Sequence, residues 1–527
     1  MFWPIKRTKN RLKRAEARRQ HRRLFLEPLE SRRLLAGVVD VQIFPLIAPG
    51  DLDLVGDGGN NEVEIKQTPN VVNSFDITGK NGTLLSINGG GVTMPSMTVN
   101  GIFDDIEVRL DTGNDTFSFV GSSKSNVPNN LTIFNDDGSN INTLDDVLVN
   151  GNLTVMKLAG TTGYSELHVL NSIVIGFTVV DNTGGFLALT GGETYTEIGN
   201  SWLQGNGGPG PAFDLDNPNE KDIIEVLGNS QFGTGPFPLG PVVDIDNRDG
   251  GSRTTFTGAS PVAGFGTTTV YGDLDIENWA NVPGTLDMVT FNGSNVLGDV
   301  HIINGAGDTS TIVTNSVLGS QLVALPFFPV IGSSLIIEAD AGYDQTALTD
   351  SVVPWGCKFE YDVAAAGAST YGSNTTLSQS ECGTAPFGPD ITGFPGAGLV
   401  VLGDDGRDVF NMSASTVAET LHLNLYAGNN EVNITNQSVI GALYLTTLGG
   451  NDDVLIDNST TQVALYVRLG FGADTFFVTN VEGAEWPSTL LGLIDIDGQL
   501  GVDTTNLPLV GLPANFLLGF EIIAAPI

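Results

Sequence analysis

The sequence is poor in the residues on which most catalytic and metal centres depend. Its 527 residues include only 2 cysteines and 4 histidines. The histidines are scattered along the chain, at His21, His168, His301 and His422. No zinc-ligand spacing, phosphate-binding loop or Gly-x-Ser-x-Gly string occurs. The chain therefore carries no recognisable catalytic motif.

Basic residues are scarce in the body of the chain. The net charge is −37, and after Arg33 only 11 Lys and Arg face 57 Asp and Glu. Such a body repels nucleic acid and anionic membranes and attracts cations or basic partners. The other 12 basic residues lie within residues 6–33. That stretch alone would suit a nucleic-acid-binding arm, but a basic leader ahead of an acidic body favours targeting, and no nucleic-acid partner is expected.

Long apolar runs and helical periodicity are also missing. No stretch of 18 apolar residues occurs, so no membrane-spanning helix is expected. The chain has instead a fixed repeat between Gly398 and Thr505. Four glycines fall 22 residues apart, each followed two residues later by Asp or Asn: Gly406, Gly428, Gly450 and Gly472, then Asp408, Asn430, Asp452 and Asp474. A constant period in this range is typical of stacked repeats.

Apolar residues share this period and alternate with polar ones inside each repeat. The two clearest columns are Leu399, Leu421, Leu443 and Leu465, and Met412, Ile434, Ile456 and Val478. Alternation with period two predicts strands, and glycine with Asn or Asp supplies tight corners between them. We predict an all-β fold, a right-handed parallel β-solenoid with coils of about 22 residues and loop insertions. A sandwich or propeller is the main alternative, but a propeller blade needs about 40 residues.

Two polar columns accompany the repeat. Asn436, Asn458 and Asn480 would occupy left-handed corners or stack inside the coil, and both interpretations are structural. The Asp column would cap backbone N–H groups or bind Ca²⁺. The strings 402–408 and 448–453 look like worn forms of the Gly-Gly-x-Gly-x-Asp calcium repeat. That likeness gives a candidate calcium-ligand set: Asp404, Asp405, Asp408, Asp452, Asp453 and Asp474.

Degenerate copies of the repeat occur earlier in the chain, with irregular spacing. They lie at 59–65, 113–119, 144–149, 222–226, 307–312 and 342–348. We expect the extra residues to leave the coils as loops, most clearly at 205–221, 231–241 and 354–397. The predicted organisation is a leader at 1–37 that includes a basic helix, a bridging stretch at 38–60 that opens an irregular solenoid at 38–397, regular coils at 398–506 and a cap at 507–527.

The two cysteines, Cys357 and Cys382, stand in the same Gly/Ser/Thr/Ala-rich stretch. In an exported protein this spacing favours a disulfide that pins the stretch. The alternative is a pair of free thiols that never meet.

The segment 26–35, LEPLESRRLL, follows the basic stretch. It resembles the N-terminal LEPR-XLL-type segment of large exported planctomycete proteins. It departs from the tightest form of that motif, since Leu29 follows the proline and the arginines come at 32 and 33. The resemblance implies export through residues 1–37, an extracellular or cell-surface location and a repetitive β-rich body. Processing near Ala36 or Gly37 is a further hypothesis, prompted by the small residues and the reversal of charge.

Two functions fit this sequence. The first is an exported structural or adhesive protein that binds cell-surface or matrix polymers, polysaccharide or protein, without catalysis. The second is a carbohydrate-active enzyme, a polysaccharide lyase or glycosidase, on the same scaffold. Such an enzyme needs two converging carboxylates, or a Lys or Arg base beside calcium-bound carboxylates. Asp452 with Asp474 or Asp244 with Asp246 are candidate carboxylate pairs, and no Lys or Arg sits in an obvious constellation. Spacing at the repeat period favours a folding role for such pairs.

Overall fold

The computed structural model describes residues 37–44, 50–158, 163–183, 193–205, 211–217, 222–233, 241–247, 251–258, 267–278, 285–319, 334–340, 342–361, 372–383, 397–479, 493–501, 503–505, 517–518 and 520–522. Every regular element in these ranges is a β-strand, and most neighbouring strands run parallel. The predicted all-β solenoid architecture is confirmed. The predicted leader lies, but for Gly37, outside the described residues.

Each complete coil contributes strands to three parallel faces, which we name A, B and C in chain order. Face A contains Glu62–Gln67, Ser165–Leu170, Thr194–Gly199, Asp222–Gly228, Arg253–Gly258, Leu286–Asn292, Asp308–Thr314, Asp344–Thr349, Ser373–Ser378, Val409–Ser413, Glu431–Thr435, Asp453–Asp457, Thr475–Thr479, Asp503–Thr505 and Phe520–Ile522. Thr116–Val127 and Asn140–Val149 run through face A into face B.

Face B is narrow. It contains Ile173–Val174, Trp202–Leu203, Gln231–Phe232, Thr268–Val270, Ser294–Val296, Val317–Leu318, Val352–Val353 and Glu381–Cys382. Thr416–Ala427, Val439–Gly449 and Thr460–Arg468 run from face B into face C. Each regular 22-residue coil therefore has two main strands, whereas in most of the earlier coils the face B strand is separate and only two or three residues long.

Face C contains Asp51–Val55, Ile106–Arg109, Leu131–Asn135, Leu153–Lys157, Thr178–Asp181, Phe213–Asn217, Pro241–Asn247, Asp273–Asn278, Val300–Asn304, Leu335–Ala339, Cys357–Tyr361, Ala397–Leu402, Leu493–Asp497 and Leu517–Leu518. Phe471–Gly472 and Leu500–Gly501 pair at the corner between faces C and A. The ladder crosses residue 397 without a break, since Cys357–Tyr361 pairs with Ala397–Leu402.

The apolar columns predicted from the repeat form the core. Leu399, Leu421, Leu443 and Leu465 lie opposite one another on successive parallel strands, and each is at most 1% exposed. Met412, Ile434, Ile456 and Val478 also lie opposite one another on face A, and all four are buried. Because inward side chains repeat once per coil, one continuous hydrophobic cluster runs along the described part of the stack.

The glycine column is explained by close backbone stacking. A Cβ at Gly450 would lie 1.7 Å from the carbonyl oxygen of Gly428, and one at Gly472 would lie 1.5 Å from that of Gly450. Gly428 and Gly450 also have positive φ, 134° and 123°. The coils therefore leave no room for a side chain at this corner, in addition to the conformational freedom that the sequence predicted.

A serine column lies at the corner between faces A and B. In this column each serine hydroxyl oxygen accepts a hydrogen bond from the backbone N–H of the serine one coil earlier. The series begins at the N–H of Ser294, and its buried acceptors are Ser316, Ser351, Ser380, Ser415 and Ser438. Residues just before several of these serines have left-handed φ. The predicted asparagine column belongs to the same corner. Asn436 and Asn458 have φ of 58° and 47°, which supports a corner role, and Asn480 lies outside the described residues.

Antiparallel strands cover the N-terminal end of the stack. Val38–Phe44 pairs antiparallel with Asp51–Val55 and parallel with Leu84–Ile87. Ser74–Gly79 pairs antiparallel with Glu62–Gln67 and with Ser96–Asn100. The expectation that 38–60 is a bridging stretch was wrong, because strands in this range already line the core.

Two further expectations need correction. Strands occupy part of each loop predicted at 205–221, 231–241 and 354–397, and taken together these strands belong to all three faces. The copy at 144–149 was aligned wrongly with the repeat, because it straddles the corner between faces A and B, and Asn140 is the residue that stacks above Asp115. Of the predicted cap, the described strands Leu517–Leu518 and Phe520–Ile522 extend faces C and A, the other residues of 507–527 lie outside the described ranges, and the cap stays a prediction.

Candidate functional site

The Asp and Asn residues singled out by the repeat belong to a buried column that spans the stack. We name it the polar corner column, and its members stand at the start of the face A strands or just before them. They are Asn61, Asp115, Asn140, Ser165, Thr194, Asp222, Ser252, Asp287, Thr309, Asp344, Ser373, Asp408, Asn430, Asp452, Asp474 and Asp503, each at most 5% exposed. Because most coils differ in length, most of this column could not be recognised as a repeat in the sequence.

Carboxylates in this column cap the backbone of the neighbouring coil. Asp452 Oδ1 accepts the N–H of Asn430 at 2.9 Å, and Asp474 Oδ1 accepts the N–H of Asp452 at 2.9 Å. Asp503 Oδ1 continues the series with the N–H of Asp474 at 3.0 Å. This is the capping role that the sequence left open beside calcium binding.

Hydroxyl and carboxyl residues alternate in the middle of the column. Thr309 Oγ1 donates to Asp344 Oδ1 at 2.7 Å, and Ser373 Oγ donates to Asp408 Oδ1 at 2.7 Å. Each donor stacks directly beside its acceptor. The alternation keeps buried carboxyl groups apart, since like charges on adjacent coils would repel at a strand spacing of about 4.8 Å.

Burial dominates the protonation of these carboxyl groups. It raises the pKa of Asp344 to about 8 and those of Asp408 and Asp474 to about 7. Neighbouring carboxylates add to the rise, while hydrogen bonds from Thr309 and Ser373 oppose it. These groups therefore hold a proton across the mildly acidic range.

The candidate calcium ligands do not meet at one place. Asp408, Asp452 and Asp474 point into the stack, whereas Asp405 and Asp453 are exposed. Asp404 is buried at its own corner, where Oδ2 accepts the N–H of Gly372 at 3.2 Å and Oδ1 that of Gly406 at 2.5 Å. Among the described residues, no three His, Cys, Asp or Glu side chains converge as a metal site would require. Calcium binding at a single corner stays a prediction.

The two cysteines meet in the core. Cys357 on face C and Cys382 on face B of the next coil are fully buried, with their sulfur atoms 2.9 Å apart. Burial raises the pKa of the Cys357 thiol. The alternative in which the thiols never meet is excluded, and the disulfide stays a prediction. It would pin strands of successive coils, not an irregular loop.

Face C carries a second acidic array, on its outer side. Asp214, Asp244 and Asp275 stack in one outward column, and Asp181, Asp216, Asp246 and Glu277 stack in the next. We name these seven residues the acidic stripe. The first column ends at His301, and further along Lys358 lies near Glu338 and Glu360. The D-x-D strings at 214–216 and 244–246 are the sequence signal, of which only the second was singled out.

The acidic stripe is electrostatically strained. Partial burial, and then repulsion from neighbouring carboxylates, raises the pKa of Asp244 to about 6. The same two causes raise the pKa of Asp214. They also raise the pKa of Asp275, although the nearby His301 partly lowers it. Columns of like charge at the strand spacing favour binding of cationic groups, which relieve the repulsion.

Face A carries a cluster that combines acids with a histidine, and the sequence analysis did not single it out. His168 Nε2 lies 2.5 Å from Glu166 Oε1, and Nδ1 lies 2.6 Å from Glu197 Oε2. On the next coils Tyr195 donates to Glu225 at 3.1 Å, and Arg253 pairs with Glu225 as well. Two carboxylates thus converge, with an imidazole between them.

Aromatic side chains form a column on the outer side of face C in the regular coils. The rings of Tyr444 and Tyr466 stack at 4.5 Å, and those of His422 and Tyr444 at 6.0 Å. The neighbouring rings are nearly parallel, with interplanar angles of 17° and 13°, so each ring partly covers the face of the next. This arrangement stabilises the stack and differs from an open aromatic platform of the kind on which sugars lie.

Comparison with known proteins identifies the beginning of the chain. Residues 20–39 match a family described as planctomycete extracellular. No curated protein and no solved structure matches the chain. The described ranges hold no helix of the length and apolarity that a bilayer crossing requires. The family match at residues 20–39 confirms the predicted planctomycete-type export and extracellular location.

Proposed function

Starting from an exported, extracellular protein, we propose that the chain is a structural or adhesive β-solenoid that binds cell-surface or matrix polymers without catalysis. The observation that carries the proposal is the acidic stripe, an ordered outward array on a rigid stack. A parallel solenoid repeats its outer side chains about every 4.8 Å, so a polymer with regularly spaced groups can be engaged at many points. Many weak contacts of this kind add up to strong attachment.

The experiment measures retention on immobilised polymers. Protein purified from the culture medium is applied to a cationic polysaccharide, deacetylated chitin, and to neutral dextran. We expect retention on the cationic polymer that weakens with added salt and falls at least tenfold in the triple variant Asp214→Asn, Asp244→Asn, Asp275→Asn.

The matched control replaces three exposed acids elsewhere: Asp350→Asn, Asp405→Asn and Asp453→Asn. It removes the same formal charge and should retain most of the binding. An equal loss of retention in both triple variants would mean that net charge, and not the acidic stripe, causes the binding. Equal retention of wild-type protein on both polymers would refute the role of the stripe.

The enzyme alternative is favoured by the cluster around His168, where Glu166 and Glu197 converge. A panel of polysaccharides, assayed for new reducing or unsaturated ends, tests it. Product that disappears in both Glu166→Gln and Glu197→Gln, with folding intact, would establish a carbohydrate-active enzyme and overturn the non-catalytic proposal.

A further inference from the structure

A small cavity lies between the first coils of the stack. Its polar wall is formed by Asp115, Asn135, Asn140 and Asn142, and its apolar wall includes Leu110 and Phe134. The free space, about 10 Å³ for the centre of a water-sized sphere, admits one water molecule or one ion. Asp115 and Asn140 are successive members of the polar corner column, so two coils contribute to the cavity.

Asp115 presents an unused oxygen to this cavity. The residue is 3% exposed, its Oδ1 accepts the N–H of Asn61 at 2.7 Å, and its Oδ2 has no hydrogen-bond partner. In the middle of the column the hydroxyls of Thr309 and Ser373 donate to the stacked carboxyl groups. No Ser or Thr stands in the corresponding place before Asp115, where the column has Asn61.

The amide nitrogens of two lining residues are already engaged in hydrogen bonds. Asn140 Nδ2 donates to the carbonyl oxygen of Asp136 at 2.8 Å, and Asn142 Nδ2 donates to Asn135 Oδ1 at 3.0 Å. With both nitrogens engaged, the carbonyl oxygens are the ends left to face the cavity. One carboxylate oxygen and two amide oxygens form the ligand chemistry of a hard cation. The buried Lys157, which stacks beside Asn135, donates to the carbonyl oxygen of Gly163 at 2.8 Å.

We propose that this cavity binds one hard metal cation, Ca²⁺ or Na⁺, with Asp115 Oδ2 as the charged ligand and Asn140 and Asn142 as neutral ligands. Without a bound ion, burial raises the pKa of the Asp115 carboxyl to about 7. A bound cation would stabilise the carboxylate and so offset this effect of burial. The site is distinct from the corners at residues 404–474, and it does not depend on the proposed binding function. It would tie the first coils together near the antiparallel end.

The test uses the full secreted chain, stripped of metal by a chelator. Equilibrium dialysis with Ca²⁺, and separately with Na⁺, measures the number of ions bound, and thermal unfolding measures their effect on Tm. We expect about one ion per chain, and a rise in Tm at millimolar concentration with one of the two ions, which identifies it.

Three variants locate the ion. Asp115→Asn should abolish the rise in Tm, and Asn142→Ala, which leaves the Asn61 to Asp115 hydrogen bond in place, should weaken ion binding at least tenfold. Asp344→Asn is the matched control, because it alters the same column away from the cavity, and it should respond like the wild type. If Asp115→Asn does not fold, the Asn142→Ala measurement decides alone.

Two outcomes overturn the proposal. The absence of Ca²⁺ and Na⁺ binding by wild-type protein at millimolar concentration would mean that the cavity holds only water. Unchanged ion binding in Asn142→Ala, or in a folded Asp115→Asn, would place the ion elsewhere, for example at residues 404–474.

Discussion

Single buried carboxyl groups control how the stability of this protein responds to pH. Asp344 is 1% exposed, and its neighbour in the stack, Thr309, donates one hydrogen bond to it. An unfolded chain releases the Asp344 proton near pH 4, whereas the folded chain holds it to about pH 8. The folded state therefore binds more protons between these values, and stability falls as pH rises through this window.

Replacement of Asp344 by Asn should flatten this dependence. A neutral amide keeps the acceptor for Thr309 and removes the titrating group. Thermal or denaturant unfolding between pH 5 and pH 8 should show a wild-type free energy of unfolding that declines more steeply than that of the variant, by up to about 1.4 kcal/mol per pH unit. Asp405→Asn, on an exposed carboxylate, should leave the wild-type slope intact. Parallel slopes for wild type and Asp344→Asn would contradict the prediction.

A single glycine tests how tightly the coils stack. Gly450→Ala places a Cβ 1.7 Å from the carbonyl oxygen of Gly428, at a φ of 123° that alanine rarely adopts. We expect a loss of about 2–4 kcal/mol or a failure to fold, measured by urea unfolding. Gly91→Ala is the control, since its Cβ would meet nothing within 4 Å. A Gly450→Ala variant as stable as the control would disprove close stacking here.

At the scale of the strand, the cysteine pair links two faces of the core. Cys357 and Cys382 lie on faces C and B of successive coils with their sulfur atoms in contact. We expect the secreted protein to contain a disulfide that contributes about 3 kcal/mol. Intact mass after denaturation and alkylation checks this, because a disulfide-bonded chain takes up no alkylating reagent before reduction. Two alkylated cysteines before reduction would show free thiols.

The sequence predicted some strands well and others poorly, for physical reasons. Leu421, Leu443 and Leu465 were placed in one column because coils of constant length put equivalent residues at a constant interval. The acidic stripe and most of the polar corner column were missed because insertions at the corners change the coil length from 22 residues, as between Asn430 and Asp452, to 35, as between Ser373 and Asp408. The antiparallel strands at the N-terminal end could not be predicted, because side chains alternate with a period of two in parallel and antiparallel strands alike.

The candidate site depended even more on the fold. Asp404 and Asp453 read alike in the sequence, yet one side chain is buried and the other is exposed. Glu166, His168 and Glu197 converge only when two coils stack. Asp115 resembles other residues of its column, and only the structure shows the cavity beside it.

The whole molecule behaves as a one-dimensional stack, so complete coils should be removable. Deletion of residues 431–452 takes out one 22-residue coil and places Asp453 where Glu431 stood opposite Val409. We expect a folded protein with cooperative thermal unfolding and a modestly lower Tm. Deletion of residues 431–441, half a coil, should abolish folding because every inward column is broken. Thermal unfolding followed by circular dichroism distinguishes the two deletion variants. If both fold, or neither does, the result would argue against a stack of independent coils.

The antiparallel strands at the N-terminal end have a consequence for crowded solutions. Open parallel ladders invite the next molecule to add on and grow a filament. Here the last strand on one side, Leu84–Ile87, runs against the direction of the stack, while Ser96–Asn100 runs with it. An incoming coil cannot be parallel to both, so the described strands at this end do not offer the continuous parallel ladder that head-to-tail stacking would extend.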